Sequence, residues 1–64
     1  MADRRVAKTR SALERSFDGL FLAKGYAGAT PGRVAADADV GRSTFYEHFT
    51  SQEELFGQRL AAVL

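Results

Sequence analysis

The chain has 64 residues, 45% of them hydrophobic, with nine basic and eight acidic side chains and a net charge of +1. That length holds one small domain near the lower limit for folding on an apolar core alone. The absence of cysteine removes disulfides, thiol nucleophiles and Cys-based zinc sites, and His48 as the single histidine leaves no multi-histidine metal site.

No apolar run approaches the roughly 20 residues of a membrane span. Met1 to Arg10 lack the apolar stretch of a signal peptide. A cytoplasmic protein without a membrane partner is expected. Charge is unevenly spread: residues 1–15 carry five basic and two acidic side chains, and residues 16–64 carry four basic and six acidic. A basic N-terminal arm, residues 1–7, leads into a mildly acidic body.

The first helix is predicted over Lys8 to Lys24. Leu13, Phe17, Leu20 and Phe21 recur at helical spacing on one face, and Val6 extends the stripe upstream. Gly19 inside this helix costs roughly 1 kcal/mol relative to alanine and is read as a point of close helix approach. Gly25 follows as a left-handed residue closing the helix. The second helix begins with Thr30 as N-cap and Pro31 in the first position, where no N–H is needed. Val34, Ala35 and Ala38 form its narrow apolar face, and a break falls at Asp39-Val40-Gly41.

The third helix is predicted from Arg42 to Phe49, with Phe45 and Phe49 on its buried side. The fourth opens with Ser51 and Glu54 spaced as a capping box. Leu55, Phe56, Leu60, Val63 and Leu64 continue to the last residue. A helix that runs off the end with an apolar stripe implies a domain cut from something longer. No segment alternates as a strand would, so the fold class is all-α: four helical pieces, the middle two joined by a tight turn. Ala35 is small where the helices cross, Asp39 tolerates a left-handed turn, and Val40 and Phe45 pin the pair. From spacing alone, a helix-turn-helix and an ordinary helical hairpin both remain open.

The residues themselves go further. Leu20-Phe21-x-x-x-Gly25-Tyr26, Thr30, Val34-Ala35, Ala38-x-Val40, Ser43-Thr44-Phe45-Tyr46-x-His48-Phe49 and Ser51-x-Glu53-x-Leu55 resemble the N-terminal domain of the tetracycline-repressor (TetR) family. The resemblance covers residues 8–64, with the helix-turn-helix at about 30–49. It implies the DNA-binding domain of a dimeric transcriptional regulator, most often a repressor. The resemblance further implies release by a small-molecule effector bound in a larger C-terminal domain that this chain does not include. Three positions depart from the family pattern: Asp39 stands where glycine is usual in the turn, Gly41 where serine is usual, and Gln52 where lysine is frequent. The last carries over only as a neutral contact.

On a wheel with Phe45 and Phe49 inward, Ser43 and Glu47 point away toward the floor of a major groove. Thr44 and Tyr46 flank them toward the phosphates. His48 lies on the Thr44 side, nearer the core, and is read as a phosphate contact; Arg42 reaches forward from the first turn to a base or phosphate. Each position has a second reading. Tyr46 and His48 also suit a core edge, Thr44 suits a bond to its own helix, and Arg42 suits an ion pair with Asp39. Glu47 suits either cytosine N4 or a solvated charge. Thr30 and Gln52, at helix starts on either side, are read as clamps on the backbone, with Arg33 a weaker candidate. Arg4, Arg5 and Lys8 suit either an adjacent minor groove or a solubilising terminus. The other class of function weighed is a helical protein-interaction module without DNA binding. No catalytic constellation, cofactor site or metal site is expected.

Overall fold

The computed structural model describes residues 4–63, with side chains described for 6–62. Four α-helices follow in order: α1, Arg4–Lys24; α2, Pro31–Asp37; α3, Arg42–His48; α4, Gln52–Val63. A single 3-10 turn, Tyr26–Gly28, joins α1 to α2, and no strand occurs among the described residues. α1 is the scaffold: it packs against the 3-10 turn, α2 and α4, and α2 in turn packs against α3.

The periodic residues form the core as read. Leu13 and Phe17 of α1, Val34 and Ala35 of α2, Phe45 and Phe49 at α3, and Leu55 of α4 are all buried. Ala29, between the 3-10 turn and α2, is buried with them and carried no periodic signal. Leu20, Phe21, Ala38, Val40 and Phe56 pack around this centre while remaining partly exposed. An aromatic row fastens α4 to α1: Phe21 stacks on Phe56 with centroids 5.4 Å apart, and Tyr26 meets Phe56 edge-on at 5.1 Å. Arg59 of α4 adds a two-pronged bond to Asp18, Nε to Oδ1 at 3.0 Å and Nη2 to Oδ2 at 2.6 Å. Glu14 lies 3.7 Å from Arg59 Nη1. This partly exposed trio sets the azimuth of α4 more than it adds stability.

Several expectations need correction. α1 starts at Arg4, so the segment read as an arm is helical from there; the side chains of Arg4 and Arg5 lie outside the described residues. Val6 is exposed and does not extend the buried stripe. Gly19 is exposed, and a Cβ built there would touch nothing within 4 Å, so it marks no helix crossing. The close approach belongs instead to Gly28, whose notional Cβ would collide with Lys24 Cβ at 2.3 Å. Gly25 has φ +77° as expected for a helix-ending glycine, but its ψ of −177° places it in an extended region open only to glycine. Leu60 is exposed; the side chain of Val63, and Leu64 altogether, lie outside the described residues.

The turn between α2 and α3 follows from Asp39. Its φ of +60° is the sole positive value at a non-glycine among the described residues. The reversal lets Val40 N–H donate to Ala35 O at 2.9 Å and Asp39 N–H to Ala36 O at 3.1 Å. These two bonds form a Schellman motif, which satisfies the last carbonyls of α2 and turns the chain into α3. At the next turn only half of the capping box forms. Ser51 Oγ accepts from Glu54 N–H at 3.1 Å, but the Glu54 carboxylate accepts from Thr50 N–H at 2.7 Å and from the Thr50 hydroxyl. The Thr50 hydroxyl, then its N–H, hold the Glu54 carboxyl below the usual carboxylate range, against a smaller opposing effect of burial.

Candidate nucleic-acid interface

Seven residues make α3, and α3 is amphipathic in the simplest way. Phe45 is 0% exposed and the following Phe49 1%. Their rings meet 5.7 Å apart, and the guanidinium of Arg10 on α1 covers Phe49 at 5.2 Å. With that face fixed, the helical period leaves the other residues no choice of direction. Arg42, Ser43, Tyr46 and Glu47 are exposed; Thr44 and His48 are half-buried at the margins. Six of the eight predicted contact residues therefore share one short helix, four of them on its open face.

The margins are braced. The Tyr46 ring is half exposed, 50%, and stands edge-on to Phe45 at 5.3 Å, so the core supports one side of it. The His48 ring tilts against Phe49 at 6.3 Å. Each ring is footed on a core phenylalanine, which suits a contact that must hold its position. Among the described residues no carboxylate lies within ion-pair distance of Arg42, so the alternative pairing with Asp39 does not form. Gly41 precedes α3 in an extended conformation, φ −78° and ψ 161°, and makes no side-chain cap.

Thr30 and Gln52 flank α3 from the starts of α2 and α4. Thr30 caps α2, its Oγ1 accepting from Arg33 N–H at 3.3 Å. As an acceptor in that bond, the hydroxyl keeps its own proton for an outside partner. Gln52 is different. Its side-chain Nε2 donates to Tyr26 O at 2.6 Å, tying the start of α4 to the turn that precedes α2. One N–H of the amide is engaged within the fold, which leaves its second N–H and Oε1 without a partner among the described residues. Arg33 and Lys8 are exposed. One feature escaped the reading of the sequence: Gly32, in the first turn of α2, lies beneath the guanidinium of Arg42. Its only signal was a glycine in a helix with no turn to explain it.

Among the described residues no group of His, Cys, Asp and Glu is placed to hold a metal ion. No described helix is long and apolar enough to cross a membrane.

Comparison with known proteins bears on the whole arrangement. Residues 18–58 match the family described as bacterial regulatory proteins, tetR family. The matched span contains all of α2 and α3. The chain is 43% identical over 54 residues, 83% of its length, to the uncharacterized HTH-type transcriptional regulator YxbF of Bacillus subtilis (strain 168), covering 14% of that protein. It is 35% identical over 63 residues, 98% of its length, to the HTH-type transcriptional regulator TcmR of Streptomyces glaucescens, covering 28% of that protein. The chain thus spans little more than a quarter of the longer-covered relative. No solved structure matches it at comparable significance.

Proposed function

We propose that this chain, which belongs to the tetR family of bacterial regulatory proteins, is the sequence-specific DNA-binding domain of a transcriptional regulator and enters the major groove with α3. The observation that carries the reading is the division of α3 itself. Phe45 and Phe49 are sealed in the core, while Arg42, Ser43, Tyr46 and Glu47 stand exposed on the other face. Ser43 and Glu47 face the groove floor and read base edges. Thr44 and Tyr46 bond the phosphates of the two flanking strands, His48 supports the Thr44 side, and Arg42 reaches base or backbone from the first turn. Thr30 donates its free hydroxyl proton to the backbone beside α2, and Gln52 meets it through the start of α4.

The protein at its natural length works as a homodimer, so that two copies of α3 meet successive turns of one groove. It acts in the cytoplasm as a repressor, released when a small-molecule effector binds the C-terminal domain. No catalytic, cofactor or metal role is assigned to this chain.

A titration of the intact protein against a library of DNA variants at fixed salt tests the assignment, salt being fixed because phosphate contacts make every affinity salt-dependent. Tyr46→Phe should weaken binding about equally across sequences, by roughly 1.5–3 kcal/mol for a lost charge-assisted hydrogen bond. Ser43→Ala and Glu47→Ala should instead shift base preference, by roughly 1–3 kcal/mol where a good base contact is lost. If Tyr46→Phe changed base preference while the other two left it untouched, α3 would be docked on a different face.

A further inference from the structure

Arg42 is the first residue of α3 and Gly32 the second of α2, and the two meet where the helices converge. A Cβ built on Gly32 would stand 3.1 Å from Arg42 Nη2, 3.2 Å from Nε and 3.5 Å from Cζ. The first two distances fall inside ordinary van der Waals separation, which is about 3.5–4.0 Å for carbon. The guanidinium therefore lies on bare backbone, closer than it would ordinarily lie to a side chain at position 32. Nothing in the fold of α2 demands glycine there. Gly32 is helical and has no positive φ, and alanine is the stronger helix former.

The seat matters because of what lies on it. Arg42 is exposed, and among the described residues it makes no ion pair. Its planar fork recognises a base edge or a phosphate only from a fixed direction. A long side chain at the mouth of a groove has many directions open to it, and here one is selected by packing against α2.

We propose that Gly32 is a specificity-determining position: by leaving room for the Arg42 guanidinium against α2, it sets which base pair Arg42 addresses. The proposal rests on the reading of α3 as the groove-entering helix. Gly32 itself is a positioning residue and acts only through Arg42. A methyl group at position 32 crowds the far end of a flexible side chain, which must give by a few tenths of an ångström, so it alters the seat of Arg42 without disturbing the core.

The test compares the intact native protein, Gly32→Ala, Gly32→Ser, Arg42→Ala and the double variant Gly32→Ala/Arg42→Ala. Each is melted, and each is used to select from a randomised DNA duplex library at fixed salt. The expected results are a melting temperature for Gly32→Ala at or above that of the native protein, and a change of about five-fold or more in preference at the pairs reached by Arg42. Gly32→Ser should shift preference at the same pairs. In the Arg42→Ala background, Gly32→Ala should change nothing further. A preference profile that Gly32→Ala leaves unaltered overturns the proposal, as does a shift that persists without Arg42, since the methyl group would then be touching DNA directly. If the native protein enriches no sequence at all, the groove-reading assignment of α3 falls first and this proposal with it.

Discussion

Truncating Phe45 is the most severe single test of how α3 is held. The side chain is completely buried, its ring packs against Phe49 at 5.7 Å, and the edge-on Tyr46 ring rests on it at 5.3 Å. Phe45→Ala therefore removes a whole aromatic ring from the junction of α2 and α3, at a cost of about 3–5 kcal/mol. A domain of this length has a total stability of roughly 3–10 kcal/mol. The variant consequently sits near the point of unfolding. At about 4–8 °C per kcal/mol, the melting temperature should fall by about 12–40 °C. Far-ultraviolet circular dichroism during heating reads this directly. Tyr46→Ala is the matched control: its ring is half exposed, 50%, and loses chiefly the edge contact with Phe45. That loss is worth about 0.5–1.5 kcal/mol. The reasoning is refuted if Phe45→Ala melts within about 5 °C of the native chain, or if the two substitutions cost the same.

Three further outcomes are expected. Gly19→Ala should stabilise by about 0.5–1 kcal/mol in urea denaturation, because the position is helical, exposed and has nothing within 4 Å of an added Cβ. At Asp39, with φ +60°, glycine should change the urea midpoint little, whereas Asp39→Val should cost about 1–2 kcal/mol because a branched side chain resists that backbone region. The Glu54 carboxyl is held below its ordinary range by Thr50, so its ionised form is favoured in the fold. That contribution is present above the unfolded glutamate value of about 4.3 and is lost as pH falls through the lower folded value. Glu54→Gln should therefore melt earlier than the native chain at neutral pH, with the gap closing as the medium is acidified below that value.

What could be read in advance was whatever depends on local spacing. Leu13 and Phe17, Phe45 and Phe49, the Thr30-Pro31 start and the Asp39 turn each announce themselves within a few residues, and each lies where it was read. The orientation of α3 followed from two phenylalanines because a helix admits a single rotation that buries both. The misreadings have a different physical origin. Val6 matched the period but is exposed, and Gly19 suggested a crossing that only tertiary placement decides. The Gln52 amide found Tyr26 O, 26 positions away, and Arg59 found Asp18, 41 positions away. Such bonds are set by how helices happen to converge, which no local pattern encodes. The seat of Arg42 on Gly32 belongs to the same class.

If α3 enters the major groove as proposed, its brevity limits how much text one copy of this domain can read. Seven residues at 1.5 Å each make a rod about 10 Å long, which at about 3.4 Å per step faces about three base pairs. Three base pairs distinguish about 64 words, since each pair shows a distinct pattern in the major groove. Among 10⁶ or more competing positions in a genome, such a word recurs about 10⁴ times by chance. A second copy one helical turn away squares the vocabulary to about 4,000 words, still leaving hundreds of accidental matches. On that proposed docking, side chains that reach past the ends of the rod lengthen the word, and the direction in which Arg42 leaves the first turn becomes a question of vocabulary as much as of affinity.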